Sequence, residues 1–115
     1  MTWREALAEY TSFRERLKPI VTKRLPDDPA LIWNERADLE PMFFEAMEHE
    51  ATLESFYLKE VCSTYEDPEC KSYDYAVAKC HEFKMWSKKA SAAVKAIESR
   101  SIKLSQSYKL TEGKH

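Results

Sequence analysis

A single glycine in a chain of 115 residues limits what this protein can fold into more than any other feature. Tight turns with positive φ are the positions that need glycine, and hairpin-rich β folds and glycine-rich phosphate loops depend on such turns. The one glycine, Gly113, follows the last hydrophobic position. The sequence therefore predicts an all-α protein, and its length predicts one domain over residues 1–115.

Hydrophobic residues recur at steps of three and four along the chain, as they do on one face of a helix. Thr2 and Glu5 have the spacing of a capping box, which begins a helix, and Asp28 is placed to cap another that has Pro29 at its first position. We therefore predict an N-terminal helix, a short helical segment, a second long helix and a very long C-terminal helix, which cover, in order, residues 1–24, 29–37, 39–65 and 68–110.

The second long helix, with Pro41 in its first turn, carries one stripe of hydrophobic residues interrupted only by Glu54. The stripe consists of Phe44, Met47, Ala51, Leu58, Val61 and Tyr65. We expect it to pack against the C-terminal helix in an antiparallel hairpin, with Val61 opposite Ala76 or Val77 and Leu58 opposite Cys80.

The C-terminal helix holds a strict alternation of four-residue and three-residue steps, which is the pattern of a coiled coil. Its members are Ala76, Cys80, Phe83, Ser87, Ala90, Val94, Ile97, Ser101, Leu104 and Tyr108. Neither proline nor glycine interrupts residues 69–112, and at 1.5 Å per residue such a helix extends ~60 Å. This is the coiled-coil-like element of the predicted fold.

The far half of that helix is longer than the predicted second helix can cover. An uncovered apolar stripe is unfavourable in water, so the N-terminal helix or another subunit must cover it. We expect a homo-oligomer that forms through the long helix. The predicted interface residues, for self-association or a protein partner, are Trp86, Val94, Ile97, Leu104 and Tyr108.

Charge is strongly segregated within a nearly neutral chain. Residues 26–70 contain thirteen acidic and two basic side chains, whereas residues 84–115 contain eight basic and two acidic ones. Acidic and basic helices that pair side by side would explain the pattern.

Two binding functions would also explain it. A basic helix could contact phosphates of a nucleic acid, through Lys84, Lys88, Lys89, Lys95, Arg100 and Lys103. Alternatively, an acidic surface could mimic nucleic-acid charge and inhibit a basic partner, through Asp38, Glu40, Glu45, Glu48, Glu50 and Glu54.

We predict no catalytic residue, no metal site and no cofactor. A di-iron bundle needs Glu-x-x-His pairs, but alanine stands three residues before both His49 and His81. The spacing of Cys62, Cys70 and Cys80 matches no close-paired zinc knuckle. The odd cysteine count without a secretory leader favours reduced thiols and a cytoplasmic protein, and no segment is apolar enough to span a membrane.

The C-terminal third contains Trp86-Ser87-Lys88-Lys89-Ala90-Ser91-Ala92-Ala93, followed by Glu98-Ser99-Arg100 and Leu104-Ser105. This segment resembles small helical accessory proteins encoded by bacteriophages. The resemblance implies an accessory or host-directed binding protein in the cytoplasm of an infected bacterium. From the residues themselves, we likewise expect a non-enzymatic interaction protein that binds a macromolecular partner.

Overall fold

The computed structural model describes residues 1–112, which form four α-helices. Helix α1 spans Trp3–Thr22, α2 spans Pro29–Tyr65, α3 spans Tyr73–Lys79 and α4 spans His81–Glu112. The all-α class and the hairpin of long helices are confirmed. Gly113, expected beyond the end of the last helix, lies outside the described residues.

Three helices begin at side-chain caps that the sequence supplies. The backbone N–H of Glu5 donates to Thr2 Oγ1 (3.1 Å), and that of Ala30 donates to Asp28 Oδ1 (2.8 Å). The caps expected at Thr2 and Asp28 are therefore confirmed. A third cap starts α3, where the N–H of Tyr75 donates to Ser72 Oγ (3.2 Å). Each cap satisfies an amide that has no partner within its helix.

The predicted division of the second region into segments 29–37 and 39–65 is wrong, because α2 is one helix of 37 residues. Pro41 lies inside it and removes a single backbone donor. Ile32 and Leu39, on the N-terminal side of Pro41, are buried in the core. Each contributes about 1.5–3 kcal/mol by burial, and together they offset the cost of a proline inside a helix, which is about 3 kcal/mol.

The predicted continuous helix over 68–110 is also wrong. Residues 66–72 form a turn, and the helical path begins only at α3 and breaks again at Cys80, whose φ of −96° and ψ of 24° leave the helical region. Cys80 is buried, and its Sγ lies 3.6 Å from the hydroxyl of Thr64. The break lets α3 pack on the end of α2 without proline or glycine at the break.

Helices α2 and α4 lie antiparallel, and α1 packs against both. Val61 and Ala76 share one small cluster near the hairpin tip, which confirms that part of the expected register. Leu58 is exposed, so its predicted contact with Cys80 is wrong. The main core joins residues of the three long helices, among them Phe13 of α1, Leu53 of α2 and Leu104 of α4.

The expected uncovered end of the C-terminal helix does not exist. Because α2 begins at Pro29 rather than near residue 39, it extends alongside α4 over nearly the whole of α4. Val94, Ile97 and Leu104 are buried in the same cluster as Ile32. The described chain is a rod with extents of 69 × 24 × 17 Å.

A candidate interaction surface

The residues predicted as a self-association surface lie mostly inside the protein. Val94, Ile97 and Leu104 are buried, and Tyr108 is half-buried against the core. They belong to the hydrophobic repeat of α4, and that repeat faces α2 within the same chain. For Val94, Ile97 and Leu104, the prediction of an intermolecular interface is therefore wrong.

Trp86, the fifth predicted interface residue, is half-buried beside α1. Its ring meets Tyr10 edge to face, with centroids 6.2 Å apart, and the Nζ of Lys89 lies 4.3 Å from its centroid. Such contacts stabilise a fold by packing and by cation–π attraction. Trp86 therefore packs against the N-terminal helix, and Lys89 covers part of its face.

Arg100, predicted as a nucleic-acid contact, is buried and fully engaged within the fold. Its guanidinium donates two hydrogen bonds to Glu35, Nε to Oε2 at 2.8 Å and Nη2 to Oε1 at 3.0 Å. It also donates to the backbone carbonyl of Lys23 (2.7 Å), while the ammonium of Lys23 lies 2.9 Å from Glu35. Arg100 thus joins α4, α2 and the end of α1, and it cannot reach a phosphate.

The carboxylate of Glu35 is ionised in this setting. Burial is the largest single influence and by itself would raise the pKa of Glu35. The hydrogen bonds from Arg100 and Lys23, with their positive charges, together outweigh burial and hold the pKa below its ordinary value.

The other predicted cationic contacts differ in their surroundings. Lys88, Lys95 and Lys103 are exposed, and Lys84 is half-buried. Lys84, Lys88 and Lys95 are spaced by four and seven residues, so they follow one edge of α4. We call these three residues the basic rim.

The hydrophobic stripe predicted for the second helix faces away from the hairpin. Phe44, Met47, Leu58 and Tyr65 are exposed, and only Val61 of the predicted stripe is buried. The buried face of α2 is a different one, formed by Ile32, Glu35, Leu39, Ala46, Leu53 and Val61. Helix α2 therefore has two hydrophobic faces, of which the chain itself covers one.

The exposed stripe continues to the N-terminal part of α2. Trp33 lies eleven residues before Phe44, and Leu58 lies eleven residues after Met47, so each pair is separated by about three helical turns. Trp33 and Ile102 line a groove between α2 and α4 that encloses about 580 Å³ and includes no residue of α1. Trp33, Phe44, Met47, Leu58 and Ile102 together form what we call the open face.

Helix α1 occupies the other side of the α2–α4 pair. Arg16 of α1 bonds Glu45 at 2.6 Å, and Trp3 of α1 packs edge to face on Phe56 with ring centroids 5.8 Å apart. His49 lies beside the ring of Phe13, with centroids 5.1 Å apart. Two sides of the helical pair are therefore available to a third helix, and the chain fills one of them.

Exposed charges of opposite sign lie on the two helices of the open face. Glu40, Glu48 and Glu54 are exposed on α2, Glu54 within the hydrophobic stripe itself, and we call these three residues the acidic rim; the basic rim lies on α4. Over its whole length, α2 contains eight acidic and two basic residues, whereas α4 contains seven basic and three acidic ones. No ion pair within residues 1–112 joins the two rims.

The described part of the chain offers few side chains arranged for catalysis or metal binding. Residues 1–112 contain no group of three His, Cys, Asp or Glu side chains placed to hold a metal ion. His49, 3.8 Å from Glu45, is mostly covered by α1. None of the helices within the described range has the length and hydrophobicity needed to cross a membrane.

Comparisons of the chain with protein-family models, with characterised proteins and with solved structures find no match.

Proposed function

We propose that this protein is a non-enzymatic interaction protein that binds another protein through the open face. The observation that supports the proposal is the second hydrophobic stripe of α2. Trp33 is 62% exposed, Phe44 58%, Met47 44%, Leu58 48% and Ile102 58%. Single exposed hydrophobic residues are ordinary, but exposed hydrophobic residues that recur at helical spacing along one side of a rod favour a binding surface.

The composition of the open face matches a protein interface. Trp, Phe and Met are enriched at the centres of such interfaces, and charged residues lie around them. Trp33 and Phe44 are the anchors that we expect to contribute most to binding, since aromatic residues dominate interface energetics. Replacing such an anchor typically costs about 2 kcal/mol or more of binding free energy.

Charge distinguishes this function from nucleic-acid binding. The acidic rim lies across the groove from the basic rim, so a polyanion on Lys88 and Lys95 would approach the carboxylates of α2. Arg100 is withdrawn into the core. A protein surface with both signs of charge suits these rims better than a phosphate backbone does.

The acidic residues are equally ill-suited to mimic a nucleic acid. Glu45 bonds Arg16 on the α1 side of α2, whereas Glu40 lines the groove on the opposite side. A mimic needs its carboxylates in one row, as phosphates are on a strand. The carboxylates of α2 instead surround the helix.

The proposal also covers the cellular compartment of the protein and its origin. Cys62, Cys70 and Cys80 are free thiols, which suits a reducing cytoplasm. If the resemblance to phage-encoded accessory proteins reflects origin, the cytoplasm is that of the infected host, where a host protein could also use the open face.

Site-specific photo-crosslinking tests the proposal. A photoreactive amino acid replaces Phe44 in cells that express the protein naturally, and the matched control places it at Leu31. Leu31 is also an exposed hydrophobic residue of α2 (56%) but lies off the stripe. We expect protein adducts from position 44 and none from position 31. Equal yields at the two positions, or adducts to nucleic acid alone, would contradict the proposal.

A further inference from the structure

We infer that the occupant of the open face is a second copy of this chain, docked so that α2 of each copy lies on α4 of the other. This inference rests on the proposed function and names its partner. Three observations support it: the opposite signs of the two rims, the register between α2 and α4, and the area of the open face.

The rims suit a twofold axis that runs parallel to the helices. Rotation about such an axis brings two open faces together and exchanges the helices across the contact. The acidic rim of one copy then meets the basic rim of the other, twice, as an isologous interface requires. An axis perpendicular to the helices, within the interface plane, would instead stack α2 on α2 and bring carboxylates against carboxylates.

The register within one chain shows which charges would meet. The Glu35–Arg100 pair and the Val61–Ala76 cluster align α2 with α4. Interpolation between them places Glu48 at the level of Lys88. Rotation about an axis parallel to the helices preserves this level, so Glu48 of one copy faces Lys88 of the second copy.

The same alignment accounts for one basic residue on the acidic helix α2 and one acidic residue on the basic helix α4. Arg36 is one of only two basic residues of α2, and Glu98 is one of three acidic residues of α4; both line the groove. They lie at similar levels, so the axis places Arg36 of one copy near Glu98 of the other. Glu40 similarly approaches Lys95 of the second copy.

The area is adequate for a dimer. A large aromatic side chain buries 150–250 Å², so Trp33 and Phe44, each about three-fifths exposed, contribute roughly 100–150 Å² apiece. With Met47, Leu58 and Ile102 the open face supplies about 500 Å² of side chain. The rims bring this close to the ~800 Å² per partner of a standard interface.

The resulting assembly is a four-helix bundle, with each α1 on the outside. Neighbouring helices are antiparallel both within and between copies, as in up-and-down bundles with short loops. Ser101, which lines the groove on α4, is small, so α2 of the second copy can approach closely there.

Sedimentation equilibrium of the full-length protein, over a wide concentration range, tests the inference. We expect a dimer whose dissociation constant rises at least tenfold in Phe44→Glu and remains within about twofold in Leu31→Glu. Both replacements are at exposed positions of α2, and circular dichroism verifies that each variant is folded.

Charge reversal tests the geometry. Glu48→Lys and Lys88→Glu should each weaken the dimer, and the double variant should recover affinity because the pair is restored with its signs exchanged. A monomer at every concentration overturns the second-copy inference; if Phe44 still crosslinks to a different protein, the proposed function stands. A dimer that Phe44→Glu leaves intact, or a double variant weaker than both single ones, also overturns the inference.

Discussion

The buried ion pair between Glu35 and Arg100 makes the sharpest stability prediction. Glu35 and Arg100 are 7% and 5% exposed, so removal of one charge leaves the other in a poorly solvated site. Glu35→Gln keeps the shape and the polar atoms but removes the counter-ion of Arg100. We expect it to lower the free energy of unfolding by about 3–5 kcal/mol.

The surroundings predict an order among three replacements. Arg100→Met should cost less than Glu35→Gln, about 2–3 kcal/mol, because Glu35 keeps the ammonium of Lys23 at 2.9 Å. Lys23→Met should cost about 1 kcal/mol or less, since the Lys23 side chain is 53% exposed and water screens its charge. The double variant Glu35→Leu/Arg100→Met buries no charge and should be more stable than Glu35→Gln alone.

Urea denaturation at pH 7, followed by circular dichroism, measures these differences. With an m-value of about 2 kcal/mol/M, Glu35→Gln should move the midpoint down by about 1.5–2.5 M. Because association also stabilises a folded chain, all variants are compared at one low protein concentration. A loss below about 1 kcal/mol for Glu35→Gln, or an equal loss for Lys23→Met, would refute the reasoning that the pair is desolvated.

Two further predictions concern pH and the core. The pKa of Glu35 lies below its ordinary value of 4.5, so its ionised form stabilises the fold above that pH. This contribution is lost as the pH falls through the folded-state pKa. Urea titrations from neutral to acid pH should show this loss of stability in the wild type and a smaller loss in Glu35→Gln. Leu104→Ala should lower the free energy of unfolding by about 2–5 kcal/mol, since Leu104 is fully buried. Leu110→Ala, at a position 71% exposed, is its control, with an expected change within about 0.5 kcal/mol; equal losses would contradict the burial assigned to Leu104.

The helices with one hydrophobic face were predictable from spacing. In α1, Ala6, Tyr10, Phe13 and Leu17 recur at steps of four and three and are buried, and the cap at Thr2 forms. Helix α2 was harder because it has two such stripes, and periodicity does not say which one the chain covers. The stripe through Phe44 is the more regular, but the one through Leu39 and Leu53 is buried.

The errors at element boundaries have the same origin in tertiary packing. Pro41 resembles a helix start, yet burial on both sides of it maintains one helix. Cys80 carries no sequence signal for a break, and its tertiary contacts, with Thr64 and with the cluster of Val61 and Ala76, appear only in the folded chain. The partners of Arg100 were equally invisible to periodicity, because Glu35 lies 65 residues away and Lys23 outside any helix. Arg100 is a charged residue on the otherwise apolar buried side of α4. That pattern could have suggested a buried ion pair.

The break at Cys80 divides the protein into the hairpin tip and the main body, and fewer buried residues hold the tip. Within residues 1–112, the tip of the hairpin has its own small cluster, in which Val61, Ala76 and Cys80 are buried, while thirteen buried residues hold the main body. Such a division allows sub-global opening, in which a weakly held segment unfolds while the rest stays native. We therefore expect α3 to detach and exchange its amide hydrogens while α1, α2 and α4 remain packed, which would expose the thiol of Cys80 to solvent without loss of the body of the fold.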